Sequence, residues 1–238
     1  MFSLIFGIGA TAGLALTTWQ SPPEARHRIA DVGLLVILGG LVGSRLMFSI
    51  LNWSYYQNHL EEILLIYLGG LAWPGFLLGG FLVLAGYVAW NSESLRVYAD
   101  NMFPLVVSLV VAAWMACWLD GCAYGHTSTT WWAVPTRDEG GLLTLRFPLQ
   151  LLGALLALCT LWILDANRER FVLPGMLAAS GGFFLTLEYL TLSFWRVDPT
   201  PIWLGLRLDT WTAFILLAVI GLPLGFLIIR QAKTGRMV

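Results

Sequence analysis

At 238 residues, with 58% hydrophobic and 11% charged residues, the chain is excluded from the ordinary soluble class, where charged residues make up about 25%. Thirteen basic and fourteen acidic residues leave a formal net charge of -1; no basic run of nucleic-acid type occurs, so nucleic acid is excluded as a partner. Three cysteines, with Cys117 and Cys159 inside apolar runs, predict no disulfide framework, which leaves helix packing in lipid to hold the fold.

The first segment, Phe2 to Trp19, has no basic residue before its apolar core and runs into Ser21-Pro22-Pro23 rather than a small-x-small cleavage site. That pattern predicts a retained helix rather than a cleaved signal peptide. A spanning helix needs about 20 apolar residues, and further candidates are Ile29 to Leu51, Gly69 to Trp90, Phe103 to Leu119, Pro148 to Leu164, Val172 to Trp195 and Thr210 to Ile229. The fold class expected is an all-α polytopic membrane protein with seven transmembrane helices, a single transmembrane domain over residues 1–238. The loops after the first, third and fifth spans and the C-terminus carry Arg26, Arg28, Arg96, Arg168, Arg170, Arg230, Lys233 and Arg236, against Arg137, Arg146, Arg196 and Arg207 on the other side. The positive-inside rule then puts the N-terminus outside, the C-terminus in the cytoplasm and the loop 120–147 on the outer face. Trp53, Tyr55, Tyr56, Trp131, Trp132, Trp195, Trp203 and Trp211 fall near the outer boundaries, as an interfacial aromatic belt requires.

Within the second span, Arg45 in GGLVGSRLMF is the one base in a spanning segment, and an intramembrane Arg is a functional hypothesis by default. Its alternatives are snorkelling to the outer interface or pairing with Glu188, the only acid well inside a span. Asn52 to Leu68 then reads as a helix lying in the interface. It leads into Gly69 to Gly80, where five glycines and Pro74 argue either for a re-entrant break lining a cavity or for tight packing through the Gly75 and Gly79 pair.

The stretch Cys117 to Gln150 is the densest group of polar, glycine and aromatic residues outside the spans. It holds Asp120, Cys122, Tyr124 and His126, an acid, a thiol and a candidate general base within a few residues. Arg146 immediately precedes the fifth span and Arg196 follows the sixth. Two guanidiniums at headgroup level, with Arg45 beneath, suit a clamp on a lipid phosphate, and interfacial anchoring is the alternative. Nucleotide-binding, serine-hydrolase and zinc-protease motifs do not occur, and Cys122 and His126 supply too few ligands for a metal site.

Several segments together resemble the prolipoprotein diacylglyceryl transferase family: GLVGSRL (Gly40 to Leu46), HLEEILLIYLGGLAWPGFLLGG (His59 to Gly80), DGCAYG (Asp120 to Gly125), RFPLQL (Arg146 to Leu151) and FWRVDP (Phe194 to Pro199). They are similar in order and spacing to the family's G-A-R-L, H-P-L-E-I-L with G-G-x-x-x-H-G-G-L-x-G-G, N-G-x-x-Y/W-G, R-H-P-x-Q-L-Y-E and F-F-R-x-P-D. The resemblance implies an outer-face lipid cavity and transfer of a diacylglyceryl group from phosphatidylglycerol, or another anionic phospholipid, to the lipobox cysteine thiol of a prolipoprotein signal peptide. It implies residence in the bacterial cytoplasmic membrane and calls for no cofactor or metal. Arg45, Glu62, Gly75, Gly121, Gly125, Arg146, Gln150 and Arg196 become the expected substrate-binding set, and His126 and Glu188 the expected catalytic ones. The chain departs from the pattern at Pro74 for the His of H-G-G, at Trp114 and Cys117 for an Arg and an Asn, at Tyr189 and Ser193 for an R-x-x-x-E pair, and at Phe147 and Gly153 for the His and Glu of R-H-P-x-Q-L-Y-E. These exchanges keep a second reading open, a catalytically inactive relative that binds lipid or a partner protein in the membrane.

Overall fold

The computed structural model describes residues 1–65 and 70–233. Its long helices are α1 (Phe2–Gln20), α2 (Arg26–Leu51), α4 (Trp73–Trp90), α5 (Leu95–Asp120), α6 (Leu149–Ala166), α7 (Met176–Ser193) and α8 (Leu208–Lys233), with a short α3 (Trp53–Tyr56). Each long helix overlaps one predicted span. Six of them are long and apolar enough to cross a membrane, and α7 is not in that set. Its composition has a physical reason: nine of its residues are buried, among them Ser180, Gly181, Glu188 and Ser193. A helix surrounded by protein carries small and polar residues where a lipid-facing one carries leucine. By contrast Leu155, Leu158 and Trp162 of α6 and Ile215, Val219, Leu222 and Phe226 of α8 are exposed large apolar side chains. Such rows are tolerated where the surroundings are hydrocarbon.

The chain divides into two compact units, residues 1–17 with 99–238, and residues 18–98. In the larger unit, Phe103 and Val107 of α5, Ala157 and Leu164 of α6, and Leu177 and Leu185 of α7 form one buried cluster. A second, nearer the loops, joins Trp114, Ala123, Leu149, Ala154 and Leu192. Small residues set the helix spacing. A Cβ on Gly13 would stand 2.7 Å from that of Ser108, and one on Gly153 would stand 2.5 Å from the Trp114 indole. Asp100 of α5 caps α7, accepting hydrogen bonds from the backbone N–H groups of Gly175 (2.6 Å) and Ala178 (2.8 Å).

The loops at one end of this unit contain two small hairpins. β1 (Val134–Arg137) pairs antiparallel with β2 (Leu143–Arg146), and β3 (Ile202–Trp203) with β4 (Leu206–Arg207). The two loops are stitched together by a bridge between Gly125 and Arg196 and by the Val197 N–H donating to the Tyr124 carbonyl at 3.0 Å. The backbone N–H of Phe2 reaches the Asp120 carboxylate at the same end, at 3.2 Å.

In the smaller unit α2 packs on α4 through glycines. A Cβ on Gly43 would lie 2.8 Å from the Gly79 Cα, and one on Gly40 2.7 Å from the Phe76 ring. The packing reading of Gly75 and Gly79 therefore holds over the re-entrant one: α4 starts at Trp73 with Pro74 in its first turn, where a missing N–H costs nothing, and runs unbroken through Gly80. The interfacial helix expected over Asn52 to Leu68 is corrected as well, to the short α3 and a 3-10 turn over Leu60–Leu64. Its Ile66, Tyr67 and Leu68, with the Gly69 that begins the predicted third span, lie outside the described residues.

Candidate functional site

At the loop end of the larger unit, α5 closes at Gly121, whose φ of +81° a Cβ-free residue adopts without strain. A side chain there would also meet the Asp138 carbonyl at 2.6 Å. Cys117 and Cys122 are joined by a disulfide across this turn. A single bridge within one turn is not a disulfide framework, but it is a bond the sequence reading did not expect, and it removes Cys122 as a candidate thiol. The spacing is too short for a framework of the secreted-domain kind, so the cysteine count gave no signal for it.

The turn delivers three contacts. The Cys122 carbonyl accepts a hydrogen bond from Gln150 Nε2 at 2.9 Å. The Gly125 carbonyl accepts one from Arg146 Nη1 at 3.4 Å. The Tyr124 ring lies 4.3 Å from the centre of the Arg146 guanidinium. Gln150 is fully buried and Arg146 is 8% exposed, yet Gln150 Oε1 and Arg146 Nε have no hydrogen-bond partner. Buried polar atoms without partners are rare enough to mark a site with unused capacity. Arg146 also forms an ion pair with Asp138 at 3.1 Å. Tyr124 donates to the Glu139 carboxylate; burial first, then that hydrogen bond and charge, push its phenol up to about 12.

Arg196 stands in a closed charge network. It binds Asp198 through Nε (2.9 Å) and Nη2 (2.6 Å) and approaches Asp209 at 2.9 Å. Its Nη1 donates to the Tyr189 hydroxyl at 2.6 Å, which donates onward to Asp209 at 3.0 Å. Arg207 completes the set, 3.3 Å from Asp198 and 3.2 Å from Asp209. Two cations thus meet two carboxylates. Burial opposes the charge on Arg196, but the hydrogen bond and charge of Asp198, with Tyr189 and Asp209, outweigh it and hold its pKa above the ordinary value.

Glu188 is 9% exposed, neither carboxyl oxygen has a hydrogen-bond partner, and the Trp114 indole lies beside it. Trp114 in turn contacts the Tyr189 ring, with centroids 6.1 Å apart, and fills the space a side chain at Gly153 would take. His126 is exposed. Its ring stacks on Phe147, with centroids 5.9 Å apart, at the edge of a cleft of about 400 Å³ lined also by Trp132, Phe194, Trp195 and Val197.

The larger unit therefore gathers Gly121, Gly125, Arg146, Gln150 and Arg196 at one loop junction; Glu188 lies on α7, next to Tyr189 in sequence, and His126 is exposed on the loops. Arg45, Glu62 and Gly75 belong to the smaller unit. There the Arg45 guanidinium, 3% exposed, donates to the carbonyls of Ile63 (2.9 Å), Gly70 (3.3 Å) and Glu62 (2.5 Å) and lies 5.4 Å from the Tyr56 ring centre. It ties the backbone at Glu62, Ile63 and Gly70 to α2, a buried role in place of the snorkelling expected as one alternative. The Glu62 carboxylate accepts from the Tyr55 hydroxyl at 2.9 Å, a bond that heads the causes raising the Tyr55 pKa. Gly75 is a packing glycine opposite Gly43 and Met47. Sequence reasoning missed Asp138, Asp198, Asp209, Tyr124 and Tyr189 as partners of the arginines. The signal available was that Asp138, Asp198 and Asp209 share the short loops of the arginines they balance.

A helical bundle with exposed apolar faces and a buried polar junction under its loops defines a multi-pass membrane protein with a site at one end of the larger unit. The family model described as Prolipoprotein diacylglyceryl transferase matches residues 1–227, and the chain belongs to that family. Among its relatives, the phosphatidylglycerol–prolipoprotein diacylglyceryl transferase of Thermosynechococcus vestitus is 28% identical over 116 residues, 46% of this chain and 43% of the relative. The enzyme of the same name from Clostridioides difficile is 25% identical over 138 residues, 54% of each chain. That of Streptococcus pyogenes serotype M5 is 38% identical over 82 residues, 32% of each. The chain spans about half the length of the first two of these relatives.

Proposed function

We propose that this protein, as one transmembrane domain of the bacterial cytoplasmic membrane with its N-terminus outside, transfers the diacylglyceryl group of phosphatidylglycerol to the cysteine thiol of a prolipoprotein signal peptide. The observation that carries the reading is the continuous family match over residues 1–227. The buried Arg146–Gln150 joint, with its unused Nε and Oε1 atoms, supports a headgroup site at the loop end. In the reaction a carbon–sulfur bond forms at the glyceryl carbon and its carbon–oxygen bond to phosphate breaks. Glycerol phosphate leaves with the electron pair, and the thiol proton passes to a base. Arg146, Gln150, Gly121, Gly125 and Arg196 on the larger unit are assigned to the lipid. Glu188, a buried acid with unpartnered oxygens, and His126, an exposed imidazole at an aromatic cleft, are assigned to the proton. The disulfide supports the outward orientation of this end, since such bonds persist outside the reducing cytosol.

A second reading, a non-catalytic lipid-binding or partner-binding relative, is favoured by one observation. Arg196 and Arg207 are already neutralised by Asp198 and Asp209, so a lipid phosphate has to compete with carboxylates for them. Expression in cells depleted of their own diacylglyceryl transferase separates the two. Restored lipoprotein modification, lost again in Glu188→Gln or Arg146→Ala, supports the transferase. Membrane-inserted protein that restores nothing, yet binds phosphatidylglycerol, selects the second reading.

A further inference from the structure

The geometry points to the Cys117–Cys122 disulfide as a redox-set latch that positions the loop-end site. We propose that it holds Gln150, Arg146 and Arg196 in register while oxidised and releases them when a dithiol reduces it. The inference rests on the proposed role of those residues in lipid binding, but its structural core stands apart from turnover.

Two features locate the latch. The bridge closes a stretch with a sequence separation of 5, and so short a loop removes little freedom from the unfolded chain. Its effect is local, on the shape of the turn. That turn is one that needs holding: two residues after Gly121 comes Ala123, buried at 4% exposure with φ +52°, a left-handed conformation that a side chain adopts only under restraint from its surroundings. The N–H groups of Gly121 and Cys122 both donate to the Cys117 carbonyl, at 2.9 and 3.0 Å, so the disulfide and the helix cap restrain the same few bonds.

What the turn holds is the site. Within four residues of the bridge, Cys122 accepts from Gln150, Tyr124 carries the Arg146 guanidinium on its ring, and Gly125 pairs with both Arg146 and Arg196. These partners come from the start of α6, from β2 and from the segment after α7, so one turn gathers three elements. Both cysteines are half-buried, which leaves the bridge within reach of a small thiol. Exchange is balanced: two thiolates of a dithiol attack in turn, the Cys117–Cys122 sulfur–sulfur bond breaks, two protein thiols form and the dithiol becomes a disulfide.

The test uses the full chain in detergent. Alkylation before reduction should leave Cys117 and Cys122 unmodified in mass spectra; finding them alkylated in freshly isolated protein overturns the proposal. Reduction with dithiothreitol should raise hydrogen exchange over residues 118–125 by about tenfold and leave the circular dichroism of the helices unchanged. Reoxidation should reverse it, and Cys117→Ser/Cys122→Ser should exchange like the reduced protein and ignore the reductant. Unchanged exchange overturns the latch, whatever the lipid data show. Titrated with short-chain phosphatidylglycerol, the oxidised protein should bind, and reduction should weaken binding by about threefold or more. Failure of the oxidised form to bind counts against the proposed function alone; binding that reduction does not change overturns the latch.

Discussion

Exchanging Asp198 for Asn removes one of the two carboxylates that balance Arg196 and Arg207 and leaves the hydrogen-bonding shape almost intact. Arg196 and Asp198 are each 11% exposed, so the pair lies in the regime where deleting one partner strands a charge, at a cost of about 3–5 kcal/mol. Asp209 remains 2.9 Å from Arg196 and accepts part of that charge, which places the expected loss at the lower end, about 3 kcal/mol. For a domain of this size that is a melting shift of about 6–12 °C, measurable by thermal unfolding of the detergent-solubilised protein. Adding Arg207→Gln restores neutrality, so the double variant should lose less than the sum of the singles, with coupling of about 1 kcal/mol or more. The same Asp198→Asn change leaves Arg196 less neutralised and should tighten phosphatidylglycerol binding if that guanidinium can serve a lipid phosphate. A shift under about 2 °C, or strict additivity in the double variant, would refute the closed network as a source of stability.

Three further outcomes follow from the packing and the loop. Gly153→Ala should destabilise by about 1–3 kcal/mol, because the new methyl meets the Trp114 ring at 2.5 Å, and Trp114→Leu in the same chain should recover part of it; a neutral Gly153→Ala melt disproves the contact. Asp100→Ala should cost about 0.5–2 kcal/mol through the lost cap on α7, with Asp100→Asn retaining much of it, and equal losses would rule out capping as the cause. Tyr124 has its folded pKa raised from 10.0 to about 12, so it favours the neutral phenol. Its contribution to stability is complete below pH 10 and falls as pH rises toward 12. Melting of the wild type should therefore drop faster over that interval than melting of Tyr124→Phe, and parallel curves would refute the assignment.

The helices were legible because apolar runs of spanning length have few other solutions in water or lipid. Gly75 and Gly79 were legible in part: their i,i+4 spacing gave the small-residue face of α4, but only the structure shows that Gly39 and Gly43 of α2 form the face it meets. Over Gly69 to Gly80 the glycines and Pro74 left a break and tight packing both open, and the interfacial helix expected over Asn52 to Leu68 gave way to short turns. Pro74 instead sits in a first helical turn, and the glycines exist to let α2 close in. Glycine in an apolar segment signals close approach as readily as a break, and the choice between them needs the partner helix, which no local window contains.

The site was legible as residue types and illegible as pairings. Arg146 and Arg196 were found by their place at span boundaries and Gln150 by the family resemblance, but two of the balancing carboxylates lie across hairpins whose register depends on the folded loops, 8 residues from Arg146 and 13 from Arg196, and only Asp198 is local, 2 residues from Arg196. The consequence reaches function. A cation counted from sequence is available to a phosphate only after its carboxylate has been displaced, so the arginines here rank by how tightly they are already held: Arg196, with two carboxylates and a phenol, behind Arg146, with one carboxylate and a buried Nε to spare. Arg146→Ala should then weaken phosphatidylglycerol binding more than Arg196→Ala does, while Arg196→Ala should lower the melting temperature more. The reverse order in a lipid titration and a thermal melt would show that the carboxylates yield readily to the lipid and that the network is part of the binding site itself.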